Sequence, residues 1–372
     1  MFYGGAKLDG YAKKNWKRMC QIRHFGRYHI MKSKQILSIF AILLVSAVFS
    51  AEGSGWRDDV LGDGYEMRYC EQDSDYSGAV RSSIVRKLPK EPAAKGVLYI
   101  HGFNDYFFQS DMGNRFVDEG YAFYAVDLRK YGRSLMPGQK PFEVRSLDEY
   151  FPDIDSAIVA MRQDGIRDIV LDGHSTGGLI ASYYLSRNPR PDIKALLLNS
   201  PFLDWNLGWK EHLVPAISLM GKFFPDMRIP QGDSEAYAES LLASDYGEWD
   251  FDTDWKFRRS PDVDAGWIRA IDKAQKALRD GKADIGVPVL LMYSDHSVYG
   301  DSWNKDFNSG DAVLDVEDIR RYGSRLGPDV TCVRVFGGLH DLVLSAPGVR
   351  EPLYKYIFGW LAKKLPKEKM AE

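Results

Sequence analysis

Asp168-Ile-Val-Leu-Asp-Gly-His-Ser-Thr-Gly-Gly-Leu-Ile-Ala-Ser-Tyr-Tyr184 joins an apolar run to a helical run through a serine set between glycines. Asp168 to Leu171 reads as a strand buried on both faces. Thr176 to Arg187 reads as a helix that stops before Pro189. Gly173-His174-Ser175-Thr176-Gly177 between them matches G-x-S-x-G, a short pattern that gains meaning from its strand–turn–helix setting. Glycines at 173 and 177 relieve crowding at a sharp turn and leave the Ser175 hydroxyl exposed at a helix N-terminus. Free backbone N–H groups and the helix dipole favour developing negative charge there. The competing reading is a helix N-cap serine in a glycine-rich turn.

Outward from this stretch, short β-rich runs alternate with helical ones, the pattern of an α/β sheet with crossover helices. Tyr65 to Cys70 and Ala79 to Leu88 are two leading strands. Gly96 to Ile100, Ala122 to Val126, Ala195 to Leu198, Val287 to Met292 and Thr331 to Phe336 follow. Apolar residues at helical spacing mark Leu147 to Arg162, and Asp315 to Leu326 and Pro352 to Leu365 are further helices. Residues 203–285 break the alternation. They are too long for a loop and hold five of the nine tryptophans (205, 209, 249, 255 and 267). An inserted, mainly helical cap is expected, with an aromatic face over an apolar cleft.

A serine hydroxyl attacks only when a base takes its proton. The chain order Ser…Asp/Glu…His places that base late, after the last strand, and His340 in Gly337-Gly338-Leu339-His340 fits. The carboxylate that orients it is expected after the preceding strand, at Asp295, with Asp301 and Asp341 as rivals. Two oxyanion donors complete the set: the backbone N–H of Thr176 and that of Phe103, in the His101-Gly102-Phe103-Asn104 turn after Gly96 to Ile100.

Composition excludes other chemistries. Three cysteines form no Cys-x-x-Cys and the seven histidines no His-Glu-x-x-His, so a metal site is not indicated. The net charge of −3 hides an asymmetry. Residues 1–51 carry nine bases against Asp9, and the remainder carries 40 bases against 51 acids, so nucleic-acid binding by the acidic body is not expected. From Met31, two lysines lead into the apolar run Ile36 to Phe49, followed by small residues, the layout of a secretory leader. The run is short for a permanent bilayer span. A secreted or periplasmic location is expected, with N-terminal membrane anchoring as the alternative. Met31 is the expected start, an unusually long basic leader from Met1 being the other reading. Export would leave Cys70 and Cys332 free to pair if close enough.

The segments are therefore a basic extension with leader (1–51), a first core part (52–202), the cap (203–285) and a second core part (286–372). His101-Gly102, the loop Asp127-Leu-Arg-Lys-Tyr-Gly-Arg-Ser134, Gly-His-Ser-Thr-Gly and the late aspartate and histidine resemble the α/β-hydrolase superfamily. Within it the chain is similar to the monoacylglycerol lipase and lysophospholipase branch, also called serine aminopeptidase-like, over residues 60–366. The resemblance implies a mostly parallel eight-stranded sheet, a lid after the sixth strand and a triad at Ser175, Asp295 and His340. Lys130 and Tyr131 depart from the commoner D-x-R-G-x-G-x-S, which leaves the subfamily and substrate open. The expected activity is hydrolysis of small-molecule esters with apolar, lipid-like acyl groups, without cofactor. An aminopeptidase-like hydrolase, drawn to amines by the acidic cap, and a non-catalytic ligand-binding member of the fold are the alternatives. For an exported chain, sequencing of the mature N-terminus should start after Ala47 or Ser50, and a start before residue 40 rejects the leader.

Overall fold

Strands rich in Val, Leu, Ile and Ala with no polar face must be covered on both sides, and they form the centre of one sheet. The computed structural model describes residues 55–279 and 283–365, so the expected leader lies outside the described residues. Its strands are β1 (Arg57–Asp58), β2 (Glu66–Asp75), β3 (Gly78–Lys87), β4 (Lys95–Ile100), β5 (Ala122–Asp127), β6 (Asp168–His174) and β7 (Ile193–Asn199). Two further short strands, β8 (Arg228–Ile229) and β9 (Val263–Asp264), form a separate ribbon. The main sheet is completed by β10 (Val289–Ser294) and β11 (Val330–Val335). The nine-stranded order is β1-β2-β3-β5-β4-β6-β7-β10-β11. Pairing is antiparallel from β1 to β5 and parallel from there to β11. The strand beyond the expected eight is the two-residue β1.

Side chains alternate between two cores along each strand, as the pleat requires. Leu98, Ile100, Leu171, Leu196 and Leu198 enter one core, and Val97, Tyr99, Val170, Ala195 and Leu197 the other. The first core is covered by α2 (Phe151–Gln163), α3 (Thr176–Arg187), α6 (Ala265–Arg279) and α7 (Val316–Gly323). The second lies under α1 (Ser110–Asp118) and α8 (Pro347–Lys364). Residues 203–285 contain a 3₁₀ turn at Gly208–Leu213, α4 (Val214–Met220), α5 (Ala236–Leu241), the β8–β9 ribbon and α6. Helix α6 belongs to the layer on the sheet: its Ile268, Ile271 and Leu278 join the first core.

Register brings Ile100 level with Gly173 and with Val126, and His174 level with Asn199, so the parallel strands end along one edge. After β4 the chain steps to β5 on one side, and β6 lies on the other. Such a reversal of strand order opens a crevice at the carboxyl ends, where ligands bind in this architecture. Cys70 on β2 and Cys332 on β11 are both free. Seven strand spacings separate them, about 34 Å at ~4.8 Å each, far beyond the ~7 Å Cα limit of a disulfide. The conditional pairing of these two cysteines within one chain is therefore ruled out.

The loop after β5 is held by buried ion pairs. Arg133 grips Asp59 with two nitrogens, at 2.7 and 2.8 Å, and Asp127 at 2.9 Å. Asp127 also accepts from the Phe107 N–H at 2.9 Å, which ties the loop to the chain beyond β4. Arg129 meets Asp153 at 2.7 Å. The unusual Lys130 is fully buried and pairs with Asp75 at 2.8 Å, and Tyr131 packs on His101 with ring centres 4.7 Å apart. These two departures from the common motif thus act inside the scaffold. Removing one partner of a buried pair leaves an uncompensated charge, so Arg133→Met should lower unfolding stability by about 3–5 kcal/mol in denaturant titration.

Candidate active site

Thr176–Arg187 begins directly at the end of β6, and the turn between them is Ser175 alone. Its backbone has φ 53° and ψ −119°, a conformation that non-glycine residues hold only when their surroundings enforce it. The Ser175 N–H donates to Asn199 O, and its carbonyl accepts from the Phe202 N–H, both at 2.9 Å. A Cβ at Gly173 would meet Gly177 O at 2.6 Å, and one at Gly177 would meet Ile100 O at 2.1 Å. Although Ser175 is the N-cap residue, its side chain makes no capping hydrogen bond. The Oγ lies instead 2.9 Å from His340 Nε2.

His340 follows the turn Gly337–Leu339 after β11, as the chain order predicts. Its Nδ1 lies 3.0 Å from Asp311 Oδ2, not from Asp295. A carboxylate only accepts, so Nδ1 carries the proton and Nε2 is free to accept from the Ser175 hydroxyl. Asp311 is fully buried, and its other oxygen accepts from the N–H groups of Val313 and Leu314 at 2.9 and 2.8 Å. The expected Asp295 stands at the end of β10 but turns aside, its Oδ1 accepting from the Gly337 N–H at 2.8 Å. The chain runs on past β10 and returns, pairing Asp311 beside Ser297. Gly310 makes the return possible, since a Cβ there would meet Val298 at 2.5 Å. Of the rivals, Asp301 is exposed, and Asp341 is buried, accepting from Asn199 Nδ2 at 2.7 Å and Gln109 Nε2 at 3.1 Å.

His101 sets the turn that carries Phe103. Its Nε2 accepts from the Leu128 N–H at 3.1 Å, so the ring proton sits on Nδ1 and is donated to Gly102 O at 2.8 Å. The carbonyl and the next N–H of a peptide point in opposite directions. Fixing Gly102 O against His101 therefore turns the Phe103 N–H the other way. Phe103 and Thr176 line the same cavity as Ser175 and His340, a space of about 240 Å³. Phe202, Trp205, Phe257, Trp267 and Leu314 give it apolar walls. Two of the five cap tryptophans thus face the cavity, while Trp209 is largely exposed. His174 also lines it; burial lowers the pKa of this ring, keeping it neutral beside His340, 4.9 Å away between ring centres.

The cavity wall also carries a Lys256–Asp105 ion pair that no local motif marks, with 2.9 Å between Nζ and Oδ1. Burial alone would raise the Asp105 carboxyl, but the Lys256 ammonium holds it below its ordinary pKa. Deeper in β6, Asp172 is pushed up to about 8 by burial and by Asp341. Among the described residues no group of histidine, cysteine and carboxylate side chains could hold a metal ion.

The model of the serine aminopeptidase family S33 matches residues 91–306, more than half of the chain. The chain belongs to this family of hydrolases. An α/β-hydrolase of the branch that its motifs resemble is thus what the match and the fold show. The AB hydrolase superfamily protein YisY of Bacillus subtilis is 31% identical over 106 residues, 28% of this chain and 37% of that protein. Phospholipase YtpA of the same organism is 24% identical over 216 residues, 57% of this chain and 74% of that one. A soluble variant of monoglyceride lipase from Saccharomyces cerevisiae shares the fold, with a TM-score of 0.62 and 18% identity over 85% of this chain and all of that one. The family match ends before Asp311 and His340, whose roles rest on the geometry above. Exchanging the histidine-orienting aspartate for asparagine misplaces the ring proton, so Asp311→Asn should lower turnover about 10³- to 10⁴-fold. Asp295→Asn, which still accepts from Gly337, should turn over close to wild type in the same steady-state assay.

Proposed function

We propose that this protein is a serine hydrolase of carboxylic esters with apolar, fatty-acyl-like chains. The observation that carries the reading is the hydrogen-bonded series Ser175–His340–Asp311, whose serine and histidine line an aromatic-walled cavity. Ser175 Oγ attacks the ester carbonyl as its proton passes to His340 Nε2, and Asp311 stabilises the imidazolium. The oxyanion faces the N–H groups of Phe103 and Thr176. Collapse of the intermediate expels the alcohol, protonated by His340, and leaves an acyl group on Ser175. Water, deprotonated by His340, then releases the acid and restores the serine. No cofactor enters either half. The mature enzyme, on this reading, is exported through the leader that starts at Met31.

Ester and amide chemistry share this machinery, and the cavity wall favours the ester. Recognition of a free α-amino group needs an uncommitted carboxylate. The single carboxylate among the described lining residues is Asp105, already neutralised by Lys256. The acidity of the cap lies mostly outside the cavity, and the amine-seeking alternative loses its support there. A bystander fold without activity has no need of a serine hydroxyl withdrawn from helix capping and aimed at an imidazole.

Ser175→Ala should abolish turnover of p-nitrophenyl esters and labelling by a fluorophosphonate probe. Wild-type turnover in that variant overturns the reading. In side-by-side assays, monoacylglycerols and aryl esters of increasing chain length should be cleaved far faster than aminoacyl-anilides, and the reverse preference transfers the assignment to the peptidase alternative.

A further inference from the structure

The turn Gly102-Phe-Asn-Asp-Tyr106 is tied to the sheet at its two ends, by His101 on the Gly102 carbonyl and by the Phe107 N–H on Asp127 at 2.9 Å. From Phe103 onward four consecutive side chains find partners outside the sheet. The Phe103 ring packs on Trp267 of α6, with ring centres 4.8 Å apart. Asn104 bridges to the backbone of Phe257: its Nδ2 donates to Phe257 O and its Oδ1 accepts from the Phe257 N–H, both at 2.8 Å. Asp105 Oδ1 accepts from Lys256, and its Oδ2 from the Gly102 N–H at 3.4 Å. The Tyr106 hydroxyl accepts from the Asp252 N–H at 2.8 Å, and its ring meets Trp255 at 5.1 Å. The loop and cap segment 252–257 run past each other in opposite directions, like two strands joined by side chains.

Two features make this more than general packing. Asn104 holds φ 48°, a left-handed conformation that costs a non-glycine residue energy and that its paired bonds to Phe257 fix in place. Asp105 links the cap cation to the Gly102 N–H, one residue before the donor at Phe103. Asn104, Asp105 and Lys256 are all at least nine-tenths buried, so water cannot replace the bonds if the cap segment shifts.

Resting on the esterase reading above, we infer that Asn104 and Lys256 are positioning residues through which cap segment 252–257 aims the Phe103 N–H at the reacting carbonyl. The cap is then part of the oxyanion site as well as the roof of the cavity. Displacing a donor weakens binding of the transition state more than binding of the ester. The loss should fall on kcat.

Asn104→Gly tests this directly, because glycine adopts the same φ without strain and loses only the amide clamp. Losing one oxyanion donor outright costs about 10²–10³ in rate, so a misaimed one should lower kcat roughly 10- to 100-fold. KM should stay close to wild type when measured well below the melting temperature, which the two lost bonds lower. Affinity for a trifluoromethyl ketone with an apolar chain, which binds as the tetrahedral adduct, should fall in step with kcat. Lys256→Met should lose kcat and ketone affinity in the same proportion, together with stability because Asp105 is left an unpaired buried charge, and Lys256→Arg should restore most of the rate. Wild-type kcat in Asn104→Gly and Lys256→Met overturns the inference, as does a loss that follows melting temperature and KM and leaves ketone affinity unchanged. Ser175→Ala separates the two levels: turnover surviving in that variant removes the esterase reading itself. If Ser175→Ala is inactive while Asn104→Gly is unimpaired, the coupling of cap to oxyanion loop alone is refuted.

Discussion

A methyl group at Gly177 would stand 2.1 Å from the carbonyl oxygen of Ile100 and 2.4 Å from that of His101. The first turn of α3 rests directly on the end of β4 because hydrogen occupies that position instead. This approach compresses the passage from β6 to α3 into one residue, and Ser175 takes a backbone conformation that an isolated chain would avoid. The strain is sustained by two hydrogen bonds to the β7 side, from Ser175 N–H to Asn199 and from Phe202 N–H to Ser175. In return the hydroxyl is lifted clear of its own helix and into reach of His340. The same close approach sets Gly102 beside Ser175, where a Cβ would lie 3.2 Å from the serine Cβ, and so brings the candidate oxyanion turn alongside the nucleophile.

Charge is distributed around this turn with little waste. Three cations in the loop after β5, Arg129, Lys130 and Arg133, point inward and meet carboxylates from β2, β5, α2 and the residue after β1. These bonds fix the floor on which His101 and Tyr131 pack. Near the cavity the logic repeats, with Lys256 against Asp105 and Arg258 against Glu235 and Asp245. A cavity whose charges are already matched offers little to a charged substrate group and leaves recognition to the aromatic walls.

Much of the fold was legible because the central strands are apolar on both faces, a pattern that survives without knowledge of the neighbours. Thr176–Arg187 was legible to the residue, since an elbow starts it and Asn188-Pro189 stops it. Helix α1 was not, because only Met112, Gly113 and Phe116 of its nine residues are buried, too few to stand out as a periodic face. Ser175 and His340 each follow a strand at once and were readable for that reason. Asp311 was hidden by distance: the chain leaves β10 at Ser294 and comes back to the strand end only through pairing at Ser297. Position along the chain selected Asp295, whereas position in space belongs to Asp311. Gly310 was the signal available, a glycine required by a tight crossing, but without the crossing in view it reads as any turn. The Lys256–Asp105 pair joins residues 151 apart and left no local trace.

Cys70 and Cys332 sit at opposite margins of the sheet, and everything that holds the two halves together passes between them as hydrogen bonds, packed hydrocarbon and matched charge. Covalent cross-linking has no share in it. The described architecture accordingly owes nothing to a disulfide between these two cysteines, and a reductant would leave it standing.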